Sequence, residues 1–257
     1  MRLLLNTISV VLNCAVLRRI LGVFMPFLFL AGVSVSLGAD FWEKKDYKEW
    51  SQKECARLLE DSPWSKQFTL TSVGVMDDSN RDASDAGQPY IKYQVQLRSA
   101  LPVRRAIVRQ MQLAQKYDSL PPEQKQQFDK SAEAFLAASM DEAVIVYVSF
   151  TTNSQPNDLE LARYWQSQTT EVLKNYVYLT PGKGDKVYLG RYATSQGGQR
   201  EFQFIFPRQV NGKPILNPND KSLKLEFTLP IVGKMGDGRA FLEFKAEKMI
   251  FEGNIAY

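Results

Sequence analysis

The sequence predicts an α+β domain with an antiparallel sheet, a helical hairpin, flanking helices and a strand-rich C-terminal third. Three observations predict it. Apolar residues recur at helical spacing mainly in the first two-thirds of the 257 residues. Alternating apolar and polar residues mark strands in the last third. Turn-forming pairs separate those strands: Pro181-Gly182-Lys183-Gly184, Gly197-Gly198, Asn211-Gly212 and Gly236-Asp237-Gly238.

Each element follows from its own residues. Ser51 and Glu54 have capping-box spacing, and Trp50 and Cys55 stand at the positions of a hydrophobic staple. With Leu58 and Leu59 in phase and Pro63 as a stop, a helix is expected over about Ser51–Asp61. Phe68 to Met76 reads as one strand. Tyr90 to Leu97 reads as a clearer one, because Ile91, Tyr93, Val95 and Leu97 alternate with Lys92, Gln94 and Gln96.

Two helices come next. Val103, Ile107, Met111 and Ala114 mark the first, and Phe128, Ala132, Phe135 and Leu136 the second. The break at Asp118 to Pro122 supplies prolines suited to a helix start. The pair reads as a hairpin over about 101–139, laid on a sheet. Ala143 to Phe150 is almost continuously apolar, as expected of a central strand covered on both faces. A helix is expected over about Leu159–Leu173, with Leu161, Trp165, Thr169 and Val172 on one side. Phe202, Phe204 and Phe206 alternate, as do Leu223, Leu225, Phe227 and Leu229. The apolar parity slips between Ala246 and Met249, which predicts a bulge or a new strand.

Residues 1–39 read as a signal peptide and 40–257 as one soluble α+β domain. The first segment holds Arg2, Arg18 and Arg19 and no acidic residue. An apolar run from Ile20 to Leu37 follows, then Gly38 and Ala39, then charge from Asp40 onward. A cut is expected after Gly38 or Ala39, and Ser36 before Gly38 suits the small-residue rule better. Left uncut, the run is nearly long enough to anchor the chain in a bilayer, and Met25 is an alternative start. Arg18-Arg19 lacks the surroundings of a twin-arginine signal. Asn13 before Cys14 excludes a lipobox. Periplasmic or secreted localisation is the expectation.

Removing the leader changes the charge argument. The whole chain has 32 basic and 28 acidic residues, and without the three leader arginines it is 29 against 28. No clustered basic face is left to bind nucleic acid. Cys55 is the lone cysteine after residue 39, so no intramolecular disulfide is expected there. The chain has no histidine, which excludes Ser-His-Asp and Cys-His activation and removes the commonest zinc ligand. Carboxylate pairs, Ser-Lys dyads and oxygen-ligand metal sites stay open.

Several motifs invite a functional reading, and each has a simpler one. Asp78-x-Asn80-x-Asp82-x-Ser84 places oxygens at alternate positions, as calcium loops do. Ala83 stands where the turn glycine belongs, however, and Pro89 where the bidentate Glu belongs, so a solvated hairpin loop is the expectation. Gly182-Lys183-Gly184 lacks the length and the following helix of a phosphate loop and reads as a β-turn. Phe41, Trp42, Tyr47, Trp50 and Trp64 could stack on sugars, but amphipathic aromatics of this kind usually pack a helix onto its domain. Asp158, Glu160 and Glu171 could serve a glycosidase only if two of them face across a cleft. The alternation Met249, Phe251, Gly253, Ile255, Tyr257 resembles the last strand of an outer-membrane barrel, yet such barrels have little helix.

Trp42 to Lys45 (WEKK), Tyr47, Trp50-Ser51 and Ser62 to Trp64 (SPW) form an opening over about 25 residues. It resembles that of a group of uncharacterised exported bacterial proteins typical of acidobacterial genomes. The resemblance implies export and a common domain, and it transfers no activity and no site residue.

The expected function is therefore an exported, non-catalytic binding or envelope-associated protein. Its partner would be an envelope or extracellular protein, its contact with membrane only through an uncleaved leader, and its contact surface the hairpin at 101–139, whose outer faces are long and polar. A histidine-free hydrolase acting on polysaccharide through paired carboxylates is one alternative, and an outer-membrane-associated β protein is another. No catalytic, cofactor-binding or metal-binding residue is assigned.

Overall fold

The computed structural model describes residues 40–71, 74–77, 88–182, 184–194, 200–233, 235–236 and 238–257, with the backbone alone at 74–77. The expected leader, the Asp78–Ser84 loop, Lys183 and Gly197-Gly198 lie outside the described residues.

The chain enters through α1 (Phe41–Lys44) and a 3₁₀ turn at Tyr47–Glu49. Helix α2 (Gln52–Glu60) starts at the expected capping box. The Ser51 hydroxyl accepts the Glu54 N–H at 3.3 Å, and the Glu54 carboxylate accepts the Ser51 N–H at 2.9 Å. Trp50 and Cys55 are both fully buried, as the staple requires.

The segment read as one strand over 68–76 is a hairpin of β1 (Ser65–Thr71) and β2 (Gly74–Asp77), with Phe68 opposite Asp77. Apolar alternation cannot show where a strand folds back on itself, because both arms keep the same parity. Strand β3 (Tyr90–Leu97) follows, and then helices α3 (Leu101–Ala114) and α4 (Pro122–Ala137). Strand β4 (Ala143–Thr152) precedes α5 (Gln155–Ser167) and α6 (Thr170–Leu173). The helix expected over 159–173 is thus two. The first begins earlier, behind Ser154 and Pro156, and Thr169 caps the second by accepting the Val172 N–H at 3.4 Å. The break turns Leu173 into the core and leaves Val172 exposed.

The remaining strands are β5 (Tyr178–Pro181), β6 (Val187–Tyr188), β7 (Arg191–Thr194), β8 (Glu201–Pro207), β9 (Gln209–Val210), β10 (Lys213–Pro214), β11 (Ser222–Leu229), β12 (Gly238–Lys245), β13 (Ile250–Phe251) and β14 (Asn254–Ile255). Asn211 and Gly212, both at positive φ, make the β9–β10 turn, as that dipeptide predicts. The parity slip after residue 245 is a 3₁₀ turn, Ala246–Lys248, leading to a new strand. The terminal alternation is therefore a tight β13–β14 hairpin with Glu252 and Gly253 at positive φ, and not one long barrel strand.

All described pairings are antiparallel. A six-stranded sheet runs β2-β1-β3-β4-β8-β7, and a four-stranded sheet runs β12-β11-β5-β6. The result is α+β, as expected from sequence. The two sheets meet through their apolar faces. The Phe227 ring of β11 lies 5.4 Å from Phe204, 6.3 Å from Phe68, 6.4 Å from Tyr93 and 6.3 Å from Trp165.

Strand β4 is central, with Val144, Val146, Val148 and Phe150 buried on its inner face. Its outer face is only partly covered. There the Arg98 guanidinium lies 3.2 Å from the Tyr147 ring centroid, and the Tyr147 hydroxyl donates to Glu201. The expectation of two covered faces missed this because Tyr147 and Ile145 read as apolar while sitting among the polar Gln94, Gln96 and Gln203.

Candidate functional site

Helix α3 buries Val103, Ala106 and Val108, and with them Arg104 and Gln112. The apolar stripe read from sequence is rotated, for Met111 is 41 % exposed and Ala114 is exposed. Helix α3 rests mainly on α2. Helix α4 touches the rest of the domain chiefly through α3 and buries no side chain completely. The hairpin is thus layered, with α3 against α2 and α4 outermost. Of the apolar residues read on α4, Phe128, Ala132 and Phe135 look into a groove.

Two clamps hold the hairpin. At the tip, Lys116 takes a left-handed turn and Tyr117–Ser119 forms a 3₁₀ turn. The Tyr117 hydroxyl donates to both Asp129 carboxylate oxygens at 2.8 and 2.7 Å, and its ring lies 5.5 Å from Phe128. This hydrogen bonding to Asp129 raises the Tyr117 pKa, with burial adding to it. At the open end, Arg104 Nη1 donates to the carbonyls of Phe135 (3.0 Å), Leu136 (3.1 Å) and Ala138 (2.9 Å). A cation there satisfies carbonyls that the helix leaves unpaired and complements the helix dipole. Burial, followed by the nearby Arg208, lowers the Arg104 pKa.

Between α3 and α4 lies a groove of about 560 Å³. Val108, Met111, Leu120, Phe128, Ala132 and Phe135 supply its apolar lining, and Gln115, Gln124, Gln127 and Ser131 its polar one. No charged side chain among the described residues lines it. Chemically the groove offers apolar contact with amide and hydroxyl hydrogen bonding at its margins, and no group placed to transfer a proton or attack a bond.

A second cleft, about 530 Å³, lies where the first described helical turns, at residues 41–46, meet the C-terminal hairpin. It contains Glu43, Asp46 and Glu252, beside Lys44, Lys45 and Arg105. Glu252 is paired with Arg105 at 2.6 Å, and Asp46 accepts the Lys48 N–H at 2.8 Å. Asp46 and Glu252 are thus engaged within the fold, and no metal-holding cluster of His, Cys, Asp or Glu occurs among the described residues.

The other sequence candidates fall elsewhere. Trp42, Trp50 and Trp64 are buried, with Trp42 and Trp64 edge-to-face at 5.6 Å and Phe41 against Trp50 at 5.5 Å. The three tryptophans therefore pack the domain, with Phe41 and Tyr47 partly exposed at the margin of the cluster. Asp158 accepts from Arg200 at 2.7 Å and Glu171 from Lys174, while Glu160 is exposed. None of the three lines either cleft. Gly182 and Gly184 sit in a strand-to-strand turn closed by Gly184 N–H to Pro181 O at 2.6 Å. The groove itself was only half legible. The apolar face of α4 is visible in sequence, whereas the role of Arg104, which bonds the last turn of α4, carries no local signal. No family model, curated protein or solved structure matches this chain.

Proposed function

We propose that this chain is an exported, non-catalytic binding domain of the cell envelope, and that the α3–α4 groove seats an amphipathic helix from a partner protein. One observation carries the reading: α4 is held at mid-helix by the Tyr117–Asp129 bond and at its last turn by Arg104, yet buries no side chain completely, so an apolar groove stands open along it in advance of any ligand. A groove between two helices suits a third helix inserting side chains at i, i+3, i+4 and i+7. The uncharged lining favours an occupant whose contact face is uncharged too, and Met111 can adapt its shape to it. Preorganisation reduces the entropy that binding would otherwise cost.

The test uses a fluorescent synthetic helix with a leucine face and no net charge, titrated against the purified chain. Saturable binding is expected. Met111→Lys and Phe135→Glu, both at exposed positions, should each weaken it about tenfold or more while leaving the circular dichroism spectrum unchanged. Binding that ignores both substitutions would place the contact elsewhere. The mass of the protein recovered from an exporting host tests the other half of the reading, with an N-terminus at Ala39 or Asp40 expected.

A further inference from the structure

A sheet edge offers unpaired N–H and C=O groups to any strand that reaches it, and proteins commonly blunt such edges by shortness, proline, bulges or inward-pointing charge. Among the described residues, three of the four edges of the two large sheets are short: four residues in β2, four in β7 and two in β6. The fourth, β12, runs eight residues and pairs with β11 without interruption from Gly238 to Lys245. It contains no proline and no bulge, and its inward side chains are Ala240, Leu242 and Phe244, all buried. Among the described residues, no strand and no backbone hydrogen bond from elsewhere reaches its outer edge. Its outward face carries Arg239, Phe241, Glu243 and Lys245, and Phe241 is 70 % exposed.

The order of those side chains specifies an occupant. Arg239 and Glu243 stand two residues either side of Phe241. When a strand pairs antiparallel with its own copy about a two-fold axis at Phe241, each Arg239 faces the other copy's Glu243, and the two Phe241 rings meet. The two-fold repeats every contact, so both charge pairs form together. Moving the axis by one residue to Leu242 sets Arg239 opposite Lys245, which like charge disfavours. The intramolecular partners leave this exchange open. Glu243 lies 4.0 Å from Lys224 with both side chains about half exposed, a pair of little worth. Arg239 donates to the Tyr178 hydroxyl at 3.2 Å through one nitrogen of a guanidinium that has five N–H donors.

We infer that the chain forms a two-fold dimer by antiparallel β12–β12 pairing centred on Phe241, joining two four-stranded sheets into one of eight strands. Sedimentation equilibrium of the full chain should show a dimer that dissociates on dilution. Arg239→Glu and Glu243→Arg should each raise the dissociation constant about tenfold or more, because each turns both attractive pairs repulsive. An equimolar mixture of the two variants should dimerise again, since each then supplies the charge the other lacks, and the double reversal should dimerise alone. Phe241→Cys should cross-link its own copies in air, because directly opposed residues meet at a Cα separation of about 4.5–5.5 Å, within disulfide reach. A parent chain that stays monomeric would overturn the inference, the edge then being open to a strand of another protein. So would a dimer indifferent to both reversals, or single variants that fail to recover on mixing.

Discussion

Glu54 shows how far one partly buried side chain can be committed. Its carboxylate accepts from Lys45 Nζ at 2.6 Å, from the Ser51 N–H at 2.9 Å and from the Ser51 hydroxyl at 2.9 Å. Lys45 first, then the backbone donor, brings its pKa from an ordinary 4.5 down to about 2. A carboxyl whose pKa falls on folding stabilises the fold above its unfolded pKa, and that stabilisation is lost as pH drops through the folded value. Glu54→Gln should therefore cost about 1 kcal/mol at neutral pH, the usual scale of a helix cap. The difference from the parent should shrink between pH about 4.5 and about 2. Urea denaturation at a series of pH values measures this, and a difference that did not change with pH would remove the charge from the explanation. The neighbouring Cys55 behaves oppositely. Burial pushes its pKa up to about 11 and seals it from solvent, which disfavours the thiolate form. The capping box was legible because its four residues are local. The burial of Cys55 followed from its staple position, whereas the acceptors that bury Arg104 lie at least 31 residues away.

At the scale of elements, local signals succeeded where the structure is local. The capped start of α2, the Asn211-Gly212 turn and the alternation of β3, β8 and β11 needed nothing beyond neighbouring residues. They failed where a distant group decides. Nothing near Phe68 to Met76 reveals that the strand reverses. The apolar period of α4 promised a core-facing helix, and α4 instead holds its apolar side over a groove because Arg104 fixes its last turn. That mechanism predicts what Arg104→Met does. With the carbonyls of Phe135, Leu136 and Ala138 unpaired and no buried α4 side chain to compensate, the hairpin should open at its base. Amide hydrogen exchange over 122–137 should accelerate by one to two orders of magnitude, corresponding to about 1.5–3 kcal/mol for hydrogen bonds to a charged donor. Exchange in β3, β4 and β8 should stay as in the parent. Unchanged protection of α4 would mean that the apolar face alone holds it.

The whole molecule is joined at places that sequence reading had no means to pair. Trp64 Nε1 donates to the Ala256 carbonyl at 2.7 Å, and the Trp64 ring meets Phe251 at 6.3 Å, so the start of the domain is tied to its last hairpin. Alternation assigned each strand a wet and a dry face. It could not say that the strands divide into two sheets, because a period of two records which way a side chain points and not what it meets. Phe227 is where that division is resolved: one fully buried ring of the smaller sheet contacts Phe68, Tyr93 and Phe204 from three strands of the larger and Trp165 from α5. Truncating it should leave a cavity that neither sheet can fill without separating from the other. Phe227→Ala should thus lower stability by about 3–5 kcal/mol, read from the denaturant midpoint. It should do so in a single transition, with tryptophan fluorescence and far-ultraviolet circular dichroism coinciding. Residues 40–257 share one hydrophobic core to which both sheets contribute, so loss of their shared ring lowers the stability of both together. Two resolved transitions, with the larger sheet surviving the first, would show instead that the sheets fold as separate cooperative units and that Phe227 only docks them.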